Sequence, residues 1–137
     1  MKKIFFAITF LIFALLINVN AQNKEIENLS KSIIDLSGSK SYEKAAELIV
    51  YQGDDKERDN KVSLDSKNVN ELKYAKKMCS KIGAMKAISE SYEVGKIEKI
   101  SNTEYKVNLS FVNGSQKLPA TFQFIKTEKG YLLQEVN

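Results

Sequence analysis

Apolar and polar positions alternate most regularly near the C-terminus. Between Glu104 and Phe111, the residues Tyr105, Val107, Leu109 and Phe111 fall on one side and Glu104, Lys106, Asn108 and Ser110 on the other. A period of two is the mark of an antiparallel strand with one wet face. Val112-Asn113-Gly114-Ser115 follows, and Asn-Gly between two such runs predicts a type I′ hairpin, whose central pair takes positive φ. The return strand spans Gln116 to Lys126, with Ala120, Phe122 and Phe124 on one face. Pro119 has no N–H for a ladder, so it marks an edge segment or a bulge. Thr127-Glu128-Lys129-Gly130 turns the chain again, and Tyr131 to Val136 closes the sheet. Before these strands, Tyr92 to Ile100 alternates in a mixed way that suits an edge strand bent at Gly95.

Upstream of Tyr92 the period lengthens to that of helices. Ile26, Leu29, Ile33 and Leu36, widened by Ile34, form one stripe. Asn23 is placed to cap it and Ser37-Gly38-Ser39 to stop it. Ser41 then predicts the start of a second helix over Tyr42 to Gln52, with Ala45, Ala46, Leu48, Ile49 and Tyr51 inward and Gly53 just past its end. Gly53 to Lys67 mixes acids and bases with little that is apolar and reads as a solvated loop. Its acids Asp54, Asp55, Glu57 and Asp59 lack the glycine and closing acid of a calcium loop, so no metal site is expected. Asn68-Val69-Asn70-Glu71 is a capping box. Behind it, Val69, Leu72, Ala75, Met78, Ile82, Met85 and Ile88 make the strongest helical stripe of the chain. Lys73, Lys76, Lys77 and Lys81 line the opposite face, and Gly83 weakens the helix end.

Helices followed by a four-stranded meander predict an α+β domain, with N-terminal helices packed on one face of a curved antiparallel sheet of about four strands. Bends at Gly95 and Pro119 would supply the curvature.

The N-terminus changes the picture of where this domain works. Met1-Lys2-Lys3 precedes an apolar run from Ile4 to Ile17, broken only by Thr9, and Val19 and Ala21 stand at the −3 and −1 positions before Gln22. Residues 1–21 are read as a secretory signal and 22–137 as a single domain, exported to the periplasm or beyond. The run is shorter than the roughly 20 residues that span a bilayer, so no stable membrane anchor is expected after cleavage. The formal charge of +4 falls to +2 once Lys2 and Lys3 are removed. With Arg58 the only arginine and export the destination, nucleic acid is excluded as a partner. Cys79 is the single cysteine, so the chain forms no internal disulfide and the thiol is expected to be buried.

Candidate chemistry is sparse. There is no histidine, hence no imidazole base or ligand and no serine–histidine pair. No glycine-rich phosphate loop is present and no cofactor is expected. The residues suited to a ligand are the tyrosines Tyr51, Tyr74, Tyr92, Tyr105 and Tyr131, whose apolar rings end in a hydroxyl. The expected function is therefore non-catalytic, with a small apolar or amphipathic ligand held between helices and sheet; a histidine-free hydrolase or isomerase-like activity built from Tyr and Glu is the lesser expectation. The alternative is a protein-interaction or dimerisation module using the sheet face, the edge at Pro119 or the lysine stripe of the third helix.

The stretches Ala46 to Asp55, Met78-Cys79-Ser80-Lys81-Ile82, Ser91-Tyr92-Glu93-Val94-Gly95, Phe122 to Lys126 and Gly130 to Leu133 give the chain its family likeness. In order and spacing it resembles the nuclear transport factor 2-like (cystatin-like) α+β roll, and among its members small exported bacterial proteins. The resemblance covers nearly all of residues 22–137. It implies a pocket between helices and sheet, catalytic where a histidine and an acid are present, and a homodimer through the sheet.

Overall fold

The computed structural model describes the backbone of residues 2–137 and the side chains of residues 16–137. The leader's basic start and most of its apolar run, Met1 to Leu15, thus lie outside the described side chains. In chain order the elements are α1 (Lys2–Gly38), α2 (Tyr42–Ala46), α3 (Val69–Ala87), β1 (Ser91–Lys99), β2 (Glu104–Asn113), β3 (Gln116–Thr127) and β4 (Gly130–Val136). The four strands form one antiparallel meander in the order β1-β2-β3-β4, so the architecture is α+β as the periodicities predict.

Helix α1 does not begin at Asn23. It runs unbroken from Lys2 to Gly38, so Asn23 is an interior residue and caps nothing. Ile26, Ser30, Ile33, Ile34 and Ser37 are its buried face. The stop falls at Gly38 as expected, but the left-handed residue is Lys40, at φ +58. Lys40 N–H donates to Ser37 O at 3.2 Å and Ser41 N–H to Leu36 O at 2.9 Å, the paired bonds of a Schellman ending. Gly38 serves a different purpose: a Cβ there would lie 2.8 Å from Lys86 Cδ, so the missing side chain is room for Lys86.

The second helix is much shorter than its apolar face predicts. It ends at Ala46, and Ile49 and Val50 are extended. Val50 N–H donates to Leu133 O at 2.9 Å and Leu133 N–H to Leu48 O at 2.8 Å. Pairing with the edge of β4 overrides the helical pattern, and β-branched Ile49 and Val50 suit the extended form. Gly53 accordingly ends no helix. The charged segment after it is exposed from Gln52 to Glu57 yet folds back on itself: Tyr51 N–H donates to Val62 O at 2.8 Å and Asn60 N–H to Tyr51 O at 3.0 Å. Arg58 leaves this loop to reach Glu71 with both guanidinium nitrogens, at 2.8 and 2.9 Å, while its guanidinium carbon sits 4.1 Å from the Tyr51 ring centroid. Among the described residues, no cluster of acids is placed to hold a metal.

In α3 the Asn68 side chain accepts from Asn70 and Glu71 N–H as a cap should. Glu71 does not reciprocate. Its carboxylate binds Arg58 and, at 2.6 Å, Asp65 N–H, which turns Glu71, Ala75, Cys79 and Ile82 to the core. The buried face is thereby rotated from the apolar stripe, leaving Val69 80 % and Ile88 63 % exposed. Gly83 does not fray the helix: it lets the backbones of α1 and α3 approach, a Cβ there meeting Ser37 O at 3.0 Å.

The sheet follows its pattern closely. β2 alternates between half-buried and buried from Glu104 to Phe111. Val94 pairs with Leu109 and Ile97 with Val107, so Gly95 and Lys96 form the expected bend and Ile97 returns to the same face as Tyr92 and Val94. Pro119 lies where β3 extends beyond β4 and pairs only with Ser110 of β2, an edge position. The hairpin is one residue later than expected. Asn113 pairs with Gln116, so the two-residue loop is Gly114-Ser115, with Gly114 at φ +57 and Ser115 not left-handed. Positive φ at the first loop residue alone is the type II′ sign pattern. Gly114→Val is expected to lower stability by about 1 kcal/mol or more through backbone strain, since nothing lies within 4 Å of its Cβ position. An unchanged urea midpoint would contradict the assigned turn.

The inner face of the sheet carries Tyr105, Val107, Leu109, Phe111, Phe122, Phe124 and Leu133, all 3 % exposed or less. They meet Ile26, Ile33, Ile34, Ala75, Cys79 and Ile82 from the helices in one continuous core. The outer face is predominantly polar, with Lys106 opposite Gln123 and Asn108 opposite Thr121.

Candidate functional site

The five tyrosines do not gather around one cavity. Tyr105 and Tyr131 stack edge to face, their centroids 5.4 Å apart, and both are buried. Burial, with the neighbouring Tyr105 and Glu25, pushes the Tyr131 phenol up to about 12. That pair is packed core at one end of β2. Tyr51 lies under Arg58 and accepts from Asp55 N–H at 3.3 Å, serving the charged loop. Tyr74 is 39 % exposed on the outer side of α3. It borders a hollow of about 320 Å³ with Lys77, Met78, Lys81, Glu135 and Val136.

Tyr92 alone joins an aromatic floor to an open hollow and a cluster of charges. It is the second residue of β1, directly opposite Phe111, and the two ring centroids are 6.0 Å apart. The hollow above them is about 300 Å³, bordered also by Lys86, Ser89, Glu90 and Ser91 where α3 hands over to β1. Glu90 is turned toward the hairpin, its carboxylate accepting from Gly114 N–H at 3.4 Å. Burial raises the Tyr92 phenol above its ordinary value; Asp35 raises it further, while Lys86 and Lys31 pull the other way. The hydroxyl therefore sits within the field of all three charges.

Lys86 is the organising side chain of this corner. Its stem crosses Gly38, and its ammonium donates to Asp35 Oδ1 at 2.6 Å. Asp35 and Lys86 keep 65 % and 36 % of their side-chain surface, so the pair contributes at most about 1 kcal/mol. On its far side Lys86 borders a second hollow of about 490 Å³ with Asp35, Gly38, Ser39, Gly83 and Ala87. Lys31 is paired with Glu27 one turn earlier on α1. Sequence reasoning named Tyr92 but neither Lys86 nor Asp35. The signal was there in Gly38 and Gly83, which read as helix breakers and are in fact clearances between α1 and α3.

The other candidates are a buried thiol and a partly engaged lysine stripe. Cys79 is fully buried and burial raises its thiol pKa, against a smaller downward pull from Ser37. In the lysine stripe, Lys81 donates to Val136 O at 2.8 Å and Lys76 lies 5.9 Å from the Tyr42 ring centroid. Among the described residues no helix is long and apolar enough to cross a membrane.

No family model and no curated protein matches the chain. Among solved structures, the chain is similar to one described as an NTF2-like transpeptidase from Campylobacter jejuni. The TM-score is 0.56 at 12 % identity, over 81 % of this chain and 98 % of the other. Identity at that level speaks for the fold, and the fold is NTF2-like: helices on one face of an open, curved antiparallel sheet.

Proposed function

We propose that this NTF2-like domain is an exported, non-catalytic binding module that holds a small amphipathic ligand at the corner formed by Tyr92, Phe111 and Lys86. The observation that carries the reading is the pairing of an aromatic floor with polar groups at its rim, around an open hollow of about 300 Å³. That is the low end of ligand-pocket volumes, and the mix of ring surface and few polar groups is typical of such pockets. The tightly packed inner sheet argues for a ligand held at the corner rather than swallowed between the layers.

The chemistry of the chain supports the non-catalytic part. There is no histidine, and the one thiol is buried with its pKa raised, the reverse of an activated nucleophile. The transpeptidase name belongs to the similar structure, and without a histidine this chain offers no imidazole base to pair with a nucleophile. The polar outer sheet face and the partly engaged lysine stripe favour ligand binding over the interaction-module alternative.

Native mass spectrometry of the protein from its own culture is expected to show a bound small molecule that Tyr92→Ala loses while keeping the fold. A ligand retained equally by Tyr92→Ala, or a chain that carries none, would overturn the assignment to this corner.

A further inference from the structure

We infer that the ligand class at this corner is an amphiphile with an anionic head, captured by exchange of Lys86 from Asp35 onto the ligand. The inference rests on the reading of the corner as a binding site and adds the identity of the head group. Three observations carry it. Lys86 borders both hollows, of about 300 and 490 Å³, so its side chain is the wall between them. Its stem crosses Gly38, where an added Cβ would lie 2.8 Å from Lys86 Cδ, so no side chain at that position holds the stem in place. Its present partner is an exposed carboxylate, Asp35 at 65 %, so the pair is readily given up.

A carboxylate or phosphate entering beside Tyr92 offers Lys86 the same charge in a less exposed setting, with the Tyr92 hydroxyl as a second donor. The apolar tail then lies against the half-buried Tyr92 ring, with the buried Phe111 ring packed behind it. Asp35 acts as a resident competitor, occupying the cation until an anion arrives. Lys31, held by Glu27 on the same face of α1, adds to the positive field at the Tyr92 hydroxyl. Glu90, the other carboxylate at the rim, is committed to the Gly114 amide.

The test compares octanoate with 1-octanol by NMR titration of the full chain, in wild type, Lys86→Met and Asp35→Asn. Methionine keeps an apolar stem across Gly38 and removes only the charge, and melting curves check that each variant folds. Wild type is expected to bind octanoate about tenfold more tightly than octanol. Lys86→Met should erase that preference, and Asp35→Asn should strengthen octanoate binding severalfold without affecting octanol. Equal binding of the two ligands by wild type, or a preference that survives Lys86→Met, would overturn the anionic head while leaving the binding site standing. Shifts at Tyr92 and Phe111 with neither ligand would overturn both readings together.

Discussion

Phe124→Ala is expected to destabilise the domain by about 3–5 kcal/mol, at the upper end of what a single core truncation costs. Phe124 is fully buried, with Tyr105 beside it on β2 and Leu133 on β4. Its ring centroid is 6.4 Å from that of Phe122. Truncation removes the ring from an inner sheet face whose neighbours come from two other strands and the helices, so the site has little freedom to collapse. Domains of this size are stable by only about 5–15 kcal/mol, which makes the variant marginal. Urea unfolding checks it: the midpoint should fall steeply with an unchanged slope. A shift equivalent to less than about 1 kcal/mol would mean that the layers are looser than described.

Glu71→Ala is expected to cost about 2–3 kcal/mol, by a different route. The Glu71 carboxylate accepts from both guanidinium nitrogens of Arg58 and from Asp65 N–H. Its removal strands a cation and an amide and frees the loop that Arg58 anchors over Tyr51. Glu71 keeps only 9 % of its side-chain surface but Arg58 keeps 34 %; water takes up part of the loss, which holds the cost below that of a fully buried pair. The same group sets an acid response. The Arg58 hydrogen bonds hold the Glu71 pKa below its ordinary 4.5, against the opposing effect of burial. A depressed carboxylate contributes stability that is fully present above its unfolded pKa and is lost as pH falls through the folded one. Wild type should therefore lose stability as pH drops below about 4.5, and Glu71→Ala should lose less of it over that range. Urea midpoints at a series of pH values read both curves, and parallel curves would remove Glu71 from the acid response.

The strands were legible from sequence because one-sided burial leaves a period of two that nothing else in the chain imitates. β2, the edge position of Pro119 and the bend at Gly95 all follow from it. The helical half was less legible. Ile49 and Val50 carry a helical pattern but are claimed by the edge of β4, a partner more than eighty residues away. The α3 stripe placed Val69 and Leu72 inward, but Val69 is exposed and Glu71 is buried, its carboxylate engaged by Arg58 and the Asp65 amide, partners that a helical period does not reveal. A run of mixed charge concealed an anchored loop, since spacing cannot reveal that Arg58 has a partner in the next helix. Of the tyrosines that the sequence offers as ligand residues, Tyr92 is the one at the proposed corner, and neither Lys86 nor Asp35 was foreseen. The tyrosines share a chemistry, but spacing does not reveal that the register of β1 against β2 sets Tyr92 opposite Phe111 beside a hollow.

The continuity of α1 bears on how the chain matures. On the proposed export route the bond after Ala21 lies inside a helix, its backbone amides already bonded along the axis. Residues from Leu16 to Ala21 are all exposed, and among the described residues the first fully buried position, Ile26, comes one helical turn beyond Gln22. Unwinding Leu16 to Ala21, up to the proposed cut, therefore removes no core residue. On that proposal, trimming and folding are independent over this stretch, since the residues between Leu16 and the cut carry no core contact that either order would lose.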